Sequence, residues 1–265
     1  MKISVIMATF NEEKNIEKCL NSVKSFADEI VIIDGGSEDK TVELAKKFDA
    51  IIEITNNPPI FHINKQKALN KSSGNWILQL DADEVVTEDL KKEILKTIDS
   101  KYTNLKQNKE KNGFYIPRKN FFLGHWMKKG GLYPDEVIRL VKRGKASFPC
   151  KSVHEQIEIN GKLGHLTNPL IHNTNQTIKD YWINSIDRYS SLTASEIKKQ
   201  NSNNSLKLFF EYCIEKPLET LYLRLVRHKG IIDGFPGIVF AFGSSIHYPI
   251  AYIKYLRLIN NNQKK

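Results

Sequence analysis

The chain has 265 residues, of which 40% are hydrophobic and 26% are charged, so we expect a normal globular core in one large domain or a domain with an appendage. Its net charge of +10 suits an anionic partner, namely nucleic acid, a phosphorylated substrate or an anionic membrane surface, without choosing among them. The three cysteines are far apart and odd in number, which excludes a disulfide framework and a zinc-type spacing and favours a reducing compartment.

Strand-like apolar runs alternate with helical patterns in the first hundred residues. We predict strands over residues 2–8, 29–34, 50–55 and 76–81, and helices over residues 12–23, 38–48, 64–73 and 87–98. Thr87 is the expected N-cap of the last of these helices. Apolar strands that alternate with helices indicate a parallel sheet with both faces covered. The first apolar run is too short for a signal peptide, so we interpret it as a strand and expect a cytoplasmic chain.

The pattern changes in the second half of the chain. Residues 113–173 contain β-like runs, including a turn at Asn160-Gly161. Helical stretches are predicted over residues 177–200 and 205–229. The last stretch, residues 234–259, is rich in apolar and aromatic side chains and contains two prolines.

Short polar or turn-forming segments follow three of the predicted strands, at the point where each strand ends. These segments are Ala8–Asn11, Asp34–Ser37 and Asp81–Glu84. Ligands of parallel sheets bind beyond the carboxyl ends of the strands. We therefore expect the three segments to form one binding rim.

Two carboxylates that are two residues apart, Asp81 and Asp83, follow the fourth strand. Oxygen ligands suit Mg²⁺ or Mn²⁺, and such an ion bridges protein carboxylates to the phosphates of a substrate. The alternative is an acidic turn before a helix, without a metal. We favour the metal site because the pair comes directly after a buried strand.

The other two segments offer partners for a nucleoside. Asp34 can accept a hydrogen bond from a nucleobase N–H, and Asn11 and Glu12 can contact the base and the ribose. The alternatives are a tight turn for Asp34 and helix capping for Asn11. Lys65, in the helix before the fourth strand, can neutralise a diphosphate or lie on a solvated helix face.

Three motifs together resemble the family 2 glycosyltransferases with the GT-A fold: MATFNEE (7–13), VIIDGGSEDKT (31–41) and GNWILQLDADE (74–84). Three later motifs are similar to the branch that includes bacterial lipopolysaccharide core-biosynthesis glucosyltransferases: YPDEVIRLVKRGKASF (133–148), SVHEQI (152–157) and DGFPGIVFAF (233–242). Lys65 and Lys67 stand where Arg is common in the family, and Leu132 replaces a frequent aromatic residue.

The resemblance implies an α/β fold of the GT-A type, with a mostly parallel, doubly wound sheet and a C-terminal helical extension. It divides the chain into a catalytic domain over residues 1–175 and a helical extension over residues 176–265. Within the catalytic domain, residues 1–100 would bind the nucleotide-sugar and residues 113–175 the acceptor.

The same resemblance assigns roles to individual residues. It implies nucleoside contacts for Thr9, Asn11, Glu12 and Asp34, a ribose or sugar contact for Asp81, and Mg²⁺ or Mn²⁺ binding by Asp83. Arg139 lies in the middle of a predicted strand, and a buried arginine must be paired. It can orient an active-site carboxylate, bind phosphate of the nucleotide-sugar, or close a structural ion pair.

The acceptor hydroxyl needs a base to take its proton, and a carboxylate is the natural agent. We favour Glu155, with Asp135 as the alternative. In a regular strand, His154 and Glu155 would point to opposite faces, whereas in a loop His154 can approach the metal. The alternative for His154 is a structural histidine.

The C-terminal region carries much of the positive charge. Residues 201–265 contain nine Lys or Arg and four Asp or Glu, a net charge of +5. Aromatic side chains flanked by cations suit a segment that lies on an anionic membrane surface. Ser244, Ser245, His247 and Pro249 interrupt the apolar run and argue against a membrane span. The alternative is a helix packed on its own domain or on a partner subunit.

Together these features predict an inverting, metal-dependent glycosyltransferase. It would move a hexose from a nucleotide-diphosphate sugar, of the UDP type, to a hydroxyl of a glycolipid or polysaccharide at the inner membrane surface, in lipopolysaccharide or other cell-surface glycan synthesis. A sugar nucleotidyltransferase is the first alternative, but the segment MATFNEEKNI (7–16) lacks the glycines of its phosphate loop. A nucleic-acid-binding protein would explain the charge but not three acidic strand ends.

Overall fold

The computed structural model describes residues 1–99, 110–151, 156–174, 177–199 and 205–263. The chain forms two compact units, each of which is described by itself. The first unit contains residues 1–118 and 135–172, and the second contains residues 119–134 and 173–265.

The first four strands form the parallel half of a mixed sheet in the first unit. They are β1 (Ile3–Thr9), β2 (Glu29–Asp34), β3 (Ile51–Ile54) and β4 (Trp76–Gln79). Their order across the sheet is β3-β2-β1-β4, and all three neighbouring pairs are parallel. The chain therefore changes direction across the sheet between β1 and β4, which is where ligands bind in open α/β sheets.

Both faces of this sheet are buried, as the apolar strands predicted. Val5 and Met7 of β1 pack in one core cluster, whereas Ile6 between them packs in another. The helices of the unit are α1 (Ile16–Val23), α2 (Thr41–Lys46), α3 (His62–Lys71) and α4 (Glu88–Ile98). Thr87 caps α4 through its side chain, which accepts a hydrogen bond of 3.1 Å from the Leu90 N–H, so this prediction is confirmed.

The remaining strands extend the sheet with mainly antiparallel pairs. They are β5 (Glu84–Val86), β6 (Lys111–Phe122), β7 (His125–Trp126), β8 (Asp135–Lys142), β11 (Lys162–His165) and β12 (Leu170–Asn173). The order continues from β4 as β8-β6-β12-β5, with β8 antiparallel to both β4 and β6. β9 (Ala146–Ser147) and β10 (Glu158–Ile159) form a separate two-stranded sheet.

The predicted turn at Asn160-Gly161 does not join a hairpin. β10 before it pairs with β9, whereas β11 after it pairs with β6. Gly161 has a φ of +127°, a conformation that residues with a Cβ rarely adopt, so the backbone here favours glycine.

The second unit is mainly helical. Its helical segments are α5 (Ile178–Tyr181), a π-helical stretch (Trp182–Asp187), α6 (Arg188–Lys199), α7 (Ser205–Phe210), a second π-helical stretch (Glu211–Glu215), α8 (Lys216–Leu221), a third π-helical stretch (Tyr222–Arg227), a 3₁₀ turn (Gly230–Asp233) and α9 (Gly234–Gln263). The helix α9 packs against α6 and α8. Within the described ranges, no helix combines the length and apolar character needed to cross a membrane.

Candidate active site

The loops that follow β1 and β2 are joined by hydrogen bonds at the carboxyl edge of the sheet. The Asn11 N–H donates to Oγ of Ser37 at 2.8 Å, and the Glu38 N–H donates to Oδ1 of Asn11 at 2.9 Å. Asn11 has a φ of +55°, a left-handed conformation that asparagine tolerates better than most residues. Two of the three predicted segments therefore form one rim.

Asp34 is fully buried and its carboxylate is surrounded by donors from the protein itself. Oδ1 accepts the N–H groups of Gly36 at 3.0 Å and Ser37 at 2.7 Å. Oδ2 accepts the hydroxyls of Ser37 at 2.7 Å and Thr9 at 2.8 Å. A carboxylate can accept about four hydrogen bonds, so these four bonds fill the acceptor positions of Asp34. In this structure Asp34 and Thr9 therefore brace the loop, and a direct nucleoside contact for either stays a prediction.

Glu12 lies at the same rim and has an unusual pKa. The pKa of Glu12 is raised to about 7: burial raises it most, the hydrogen bond from Asn15 lowers it, and the negative charges of Asp83 and Asp81 also raise it. Its backbone N–H donates to Oγ1 of Thr41 at 2.7 Å, which fixes the start of the loop. Glu12 therefore responds to the negative potential of the carboxylates that follow β4.

Replacing Glu12 with Gln is expected to remove a pH dependence of stability. The folded protein keeps this proton up to about pH 7, whereas the unfolded chain releases it near the ordinary pKa of 4.5. Ionisation therefore favours unfolding, and the wild type should lose ~2 kcal/mol of unfolding free energy between about pH 5 and about pH 8, after discounting for partial exposure. Denaturant unfolding of both proteins in EDTA measures this. Equal pH profiles for wild type and variant would contradict it.

Asp81 follows β4 and is neutralised by two cations. Its Oδ1 contacts Nζ of Lys65 at 2.5 Å and Nε2 of Gln79 at 3.1 Å, and its Oδ2 contacts the Arg139 guanidinium at 2.6 Å. Burial alone would raise the pKa of Asp81, but Arg139 and Lys65 hold it well below its usual range. Asp81 is thus an anion at neutral pH whose charge is already balanced.

Glu84 is the fully buried acid of the same turn. Its Oε2 accepts the backbone N–H of Asp81 at 3.0 Å, which closes the turn after β4. Its Oε1 lies 2.8 Å from the Arg139 guanidinium and 3.5 Å from that of Arg118. Arg139 is therefore paired, as its burial required, and it joins Asp81 to Glu84. Arg118 also binds Asp135 through two nitrogens, at 2.6 and 3.0 Å.

Asp83 differs from its two acidic neighbours. Among the residues that the structure describes, no Lys or Arg lies within ion-pair distance of it, and its contact is with Nε2 of His172 at 3.2 Å. His172 lies in β12, directly opposite Glu84 in the antiparallel pair with β5. Burial alone would lower the pKa of His172, but the hydrogen bond and charge of Asp83 and the charge of Glu84 raise it.

Asp83 and His172 are two groups at this turn that could hold a divalent cation. No group of three His, Cys, Asp or Glu in the described ranges is arranged to hold a metal ion. Mg²⁺, however, is commonly bound by one or two protein carboxylates, with waters and substrate phosphates as the other ligands. Asp83, which has no Lys or Arg partner among the described residues, matches that pattern, and His172 beside it would bind the cation as the neutral imidazole, after release of its proton.

Sequence reasoning located the three strand ends, including Glu84 in the acidic turn, but missed His172 and Arg118 as neighbours of the acids. His172 reaches the turn because β12 pairs with β5, and no local sequence motif predicts that pairing. The predicted residues His154 and Glu155 lie outside the described residues, so their roles as metal ligand and base stay predictions.

The sequence of this chain is similar to that of a known protein family. The sequence model of glycosyl transferase family 2 matches residues 4–153, which is more than half of the chain. The chain belongs to glycosyl transferase family 2. Its membership confirms the resemblance, the glycosyltransferase class and the GT-A fold expected from the motifs.

Individual relatives of this family 2 glycosyltransferase span most of its length. It is 27% identical to an uncharacterised glycosyltransferase of Rickettsia typhi, over 98% of this chain and 89% of that protein. It is 28% identical to the lipopolysaccharide core biosynthesis glycosyltransferase LpsC of Rhizobium meliloti, over 91% of this chain and 90% of that protein. The crystal structure of S. aureus TarS 1–349 matches with a TM-score of 0.46 and 16% identity, covering 97% of this chain and 92% of that chain.

Proposed function

We propose that this glycosyltransferase moves a hexose from a UDP-sugar to a hydroxyl of a glycolipid or polysaccharide, with inversion at the anomeric carbon. The name of the Rhizobium meliloti relative supports a role in lipopolysaccharide or related cell-surface glycan synthesis. A glycolipid acceptor also supports contact with the inner surface of the cytoplasmic membrane. The positive charge of the C-terminal region is consistent with such a contact.

The uneven neutralisation of the three acids after β4 is the observation that carries the proposal. Asp81 and Glu84 are balanced by cations of the chain, whereas Asp83 meets an imidazole instead. Asp83 and His172 would hold Mg²⁺ or Mn²⁺, which when bound acts as a Lewis acid on the leaving diphosphate. In this proposal Asp81 and Glu84 stabilise the structure of the turn, and Asp83 binds the metal.

The other residues of the rim have distinct tasks in this proposal. Asn11 and Glu12 contact the nucleoside, because they lie just beyond the carboxyl end of β1, where the order of the strands changes direction. Asp34 keeps the loop in shape. Lys65 and Arg139 orient Asp81 toward ribose or sugar, since both are bonded to its carboxylate.

The acceptor hydroxyl is deprotonated by Glu155 or by Asp135 in this proposal. Asp135 is held by two bonds from Arg118, while about a third of its side chain, 33%, stays exposed. A single attack by the hydroxyl on the anomeric carbon inverts its configuration. The base takes the hydroxyl proton, and the diphosphate leaves with the bonding electrons.

A nucleotide panel tests the donor site without knowledge of the acceptor. UDP, GDP and CDP are each added to the purified protein with Mn²⁺, with Mg²⁺ or with EDTA, and thermal unfolding is followed. We expect UDP with a metal to raise Tm by about 5 °C or more at saturating ligand. EDTA should abolish the shift.

A matched pair of variants gives the control for this panel. Asp83→Asn should lose the metal-dependent shift, whereas Asp89→Asn, on the exposed first turn of α4, should retain it. The absence of any shift with every nucleotide would refute the proposed donor site. A shift that survives in EDTA would refute metal-assisted binding.

A further inference from the structure

The long helix α9 exposes a continuous apolar row on one side. Its members and their exposed fractions are Phe235 (66%), Ile238 (37%), Phe242 (56%), Ile246 (47%), Ile253 (50%) and Leu256 (37%). The intervals of three, four or seven residues place all six on one face of a helix. These six residues form the α9 stripe, which is about 30 Å long because a helix rises 1.5 Å per residue.

The stripe is not the face by which α9 packs in its own unit. That contact uses a different set, with Ala241, Ala251, Tyr252 and Tyr255 all buried. Tyr252 and Tyr255 belong to a core cluster with residues of α6 and α7. A helix that is apolar on more than its core face normally has a second partner, and an exposed apolar row of this size marks an interaction surface.

The loop before α9 continues this surface. Ile231 and Ile232 are 62% and 65% exposed, and the basic residues Arg227 and Lys229 beside them are also exposed. The loop is anchored by Asp233, whose side chain is buried. It accepts the N–H groups of Lys128 at 3.1 Å and Lys129 at 2.8 Å. The apolar pair is therefore presented outward by a fixed loop.

The exposed charges of the segment that carries the stripe have one sign. Between residues 222 and 258 the sequence contains a single carboxylate, Asp233, which is only 4% exposed. Exposed cations lie at both ends of the stripe, Arg227 and Lys229 before it and Arg257 near its end. Within this segment the apolar row is flanked by cations without an exposed acid, a pattern that complements an anionic lipid surface.

A second copy of the chain would fit this surface poorly. Two-fold pairing brings each patch against itself, so the cations would face cations or apolar side chains and find no carboxylate there. The exposed apolar side chains of α8 differ, because Leu218 alternates with the exposed acids Glu215 and Glu219. The charge pattern therefore selects the α9 stripe for lipid.

We propose that α9 lies in the plane of an anionic lipid bilayer, with the stripe and the Ile231–Ile232 loop inserted at the headgroup level and the flanking cations against lipid phosphates. The inference deepens the proposed membrane contact, on which it rests, by assigning the surface that makes it. It requires no knowledge of the donor or the acceptor.

Vesicle sedimentation of the 265-residue chain tests the assignment. The wild type should bind vesicles that contain phosphatidylglycerol, bind vesicles of phosphatidylcholine alone much less, and dissociate as salt is raised. Phe242→Asp should weaken binding to the anionic vesicles about ten-fold or more, because it removes a large apolar side chain and adds a negative charge. Ile54→Asp, at a position that is 65% exposed in β3 of the first unit, should bind like the wild type.

The outcomes separate this inference from the proposed reaction. Circular dichroism and the nucleotide-induced shift in Tm, measured in solution, show whether each variant is folded and keeps its donor site. Absence of wild-type binding to anionic vesicles, or equal binding by Phe242→Asp and Ile54→Asp, would overturn the membrane assignment and leave the transferase proposal standing. A dimer in light scattering that Phe242→Asp dissociates, without vesicle binding, would assign the stripe to a second copy instead.

Discussion

Replacing Arg139 with Met is expected to lower the free energy of unfolding by about 3–5 kcal/mol. The Arg139 side chain is 9% exposed and contacts both Asp81 and Glu84. Its loss leaves Glu84, which is 0% exposed, with the backbone N–H of Asp81 and, as the remaining Arg contact among the described residues, the longer one of 3.5 Å to Arg118. A buried carboxylate without a close counter-charge must be neutralised or rehydrated, and either change destabilises the folded state.

Two further variants make this prediction decisive. Arg143→Met removes an exposed arginine that follows the same strand, and it should change stability by less than about 0.5 kcal/mol. Adding Glu84→Gln to Arg139→Met should restore part of the loss, because the neutral amide no longer needs the counter-charge. Denaturant midpoints measure all of these values. A cost for Arg139→Met no larger than that for Arg143→Met would show that the acids do not depend on this cation.

The binding rim was predictable because it depends on local patterns. Short apolar runs, each followed by a helix, specify parallel strands, and parallel strands bring their carboxyl ends to one edge. The segments after β1 and β2 are therefore hydrogen-bonded neighbours, as the contact between Asn11 and Ser37 shows. The burial of Arg139 also required a partner, and its position in a strand was visible from the sequence.

The identity of the partners was not predictable, because it depends on pairing between distant strands. β8 and β12 bring Arg139 and His172 to the acidic turn from 58 and 89 residues further along the chain than Asp81 and Asp83. Register between such strands has no local signature. The internal bonds of Asp34 likewise depend on the exact path of the loop through Gly36, which has a φ of +85°.

The C-terminal helix shows the limit of residue propensities. Pro236 lies in the first turn of α9, where proline is tolerated, but Pro249 lies in its interior and removes a backbone hydrogen bond. The helix nevertheless extends from Gly234 to Gln263. Its packing against α6 and α8 outweighs the local penalty, and packing of that kind follows only from the folded structure.

Asp83→Asn is expected to lower kcat/KM for metal-dependent release of UDP from a UDP-sugar by about 1000-fold, without a comparable loss of stability. Asn preserves the shape of the side chain and removes the charge that the cation requires. In the described residues Asp83 has no Lys or Arg partner, and His172, whose pKa Asp83 raises, can release its proton once that charge is removed. The variant should therefore unfold at nearly the wild-type denaturant concentration, in contrast to Arg139→Met.

His172→Ala distinguishes a metal ligand from a residue that merely orients Asp83. As a ligand, His172 contributes to the affinity for the cation, so its loss should raise the Mn²⁺ concentration for half-maximal activity about 10- to 100-fold while saturating Mn²⁺ restores much of kcat. If His172 only holds Asp83, through the contact of 3.2 Å, excess metal will not restore the rate and kcat itself will fall. One Mn²⁺ titration separates the two roles, because loss of a ligand changes the half-maximal Mn²⁺ concentration and loss of an orienting residue changes kcat at saturating Mn²⁺. A variant with unchanged Mn²⁺ dependence and unchanged kcat would exclude His172 from the site and leave Asp83 to be completed by residues outside the described part of the chain.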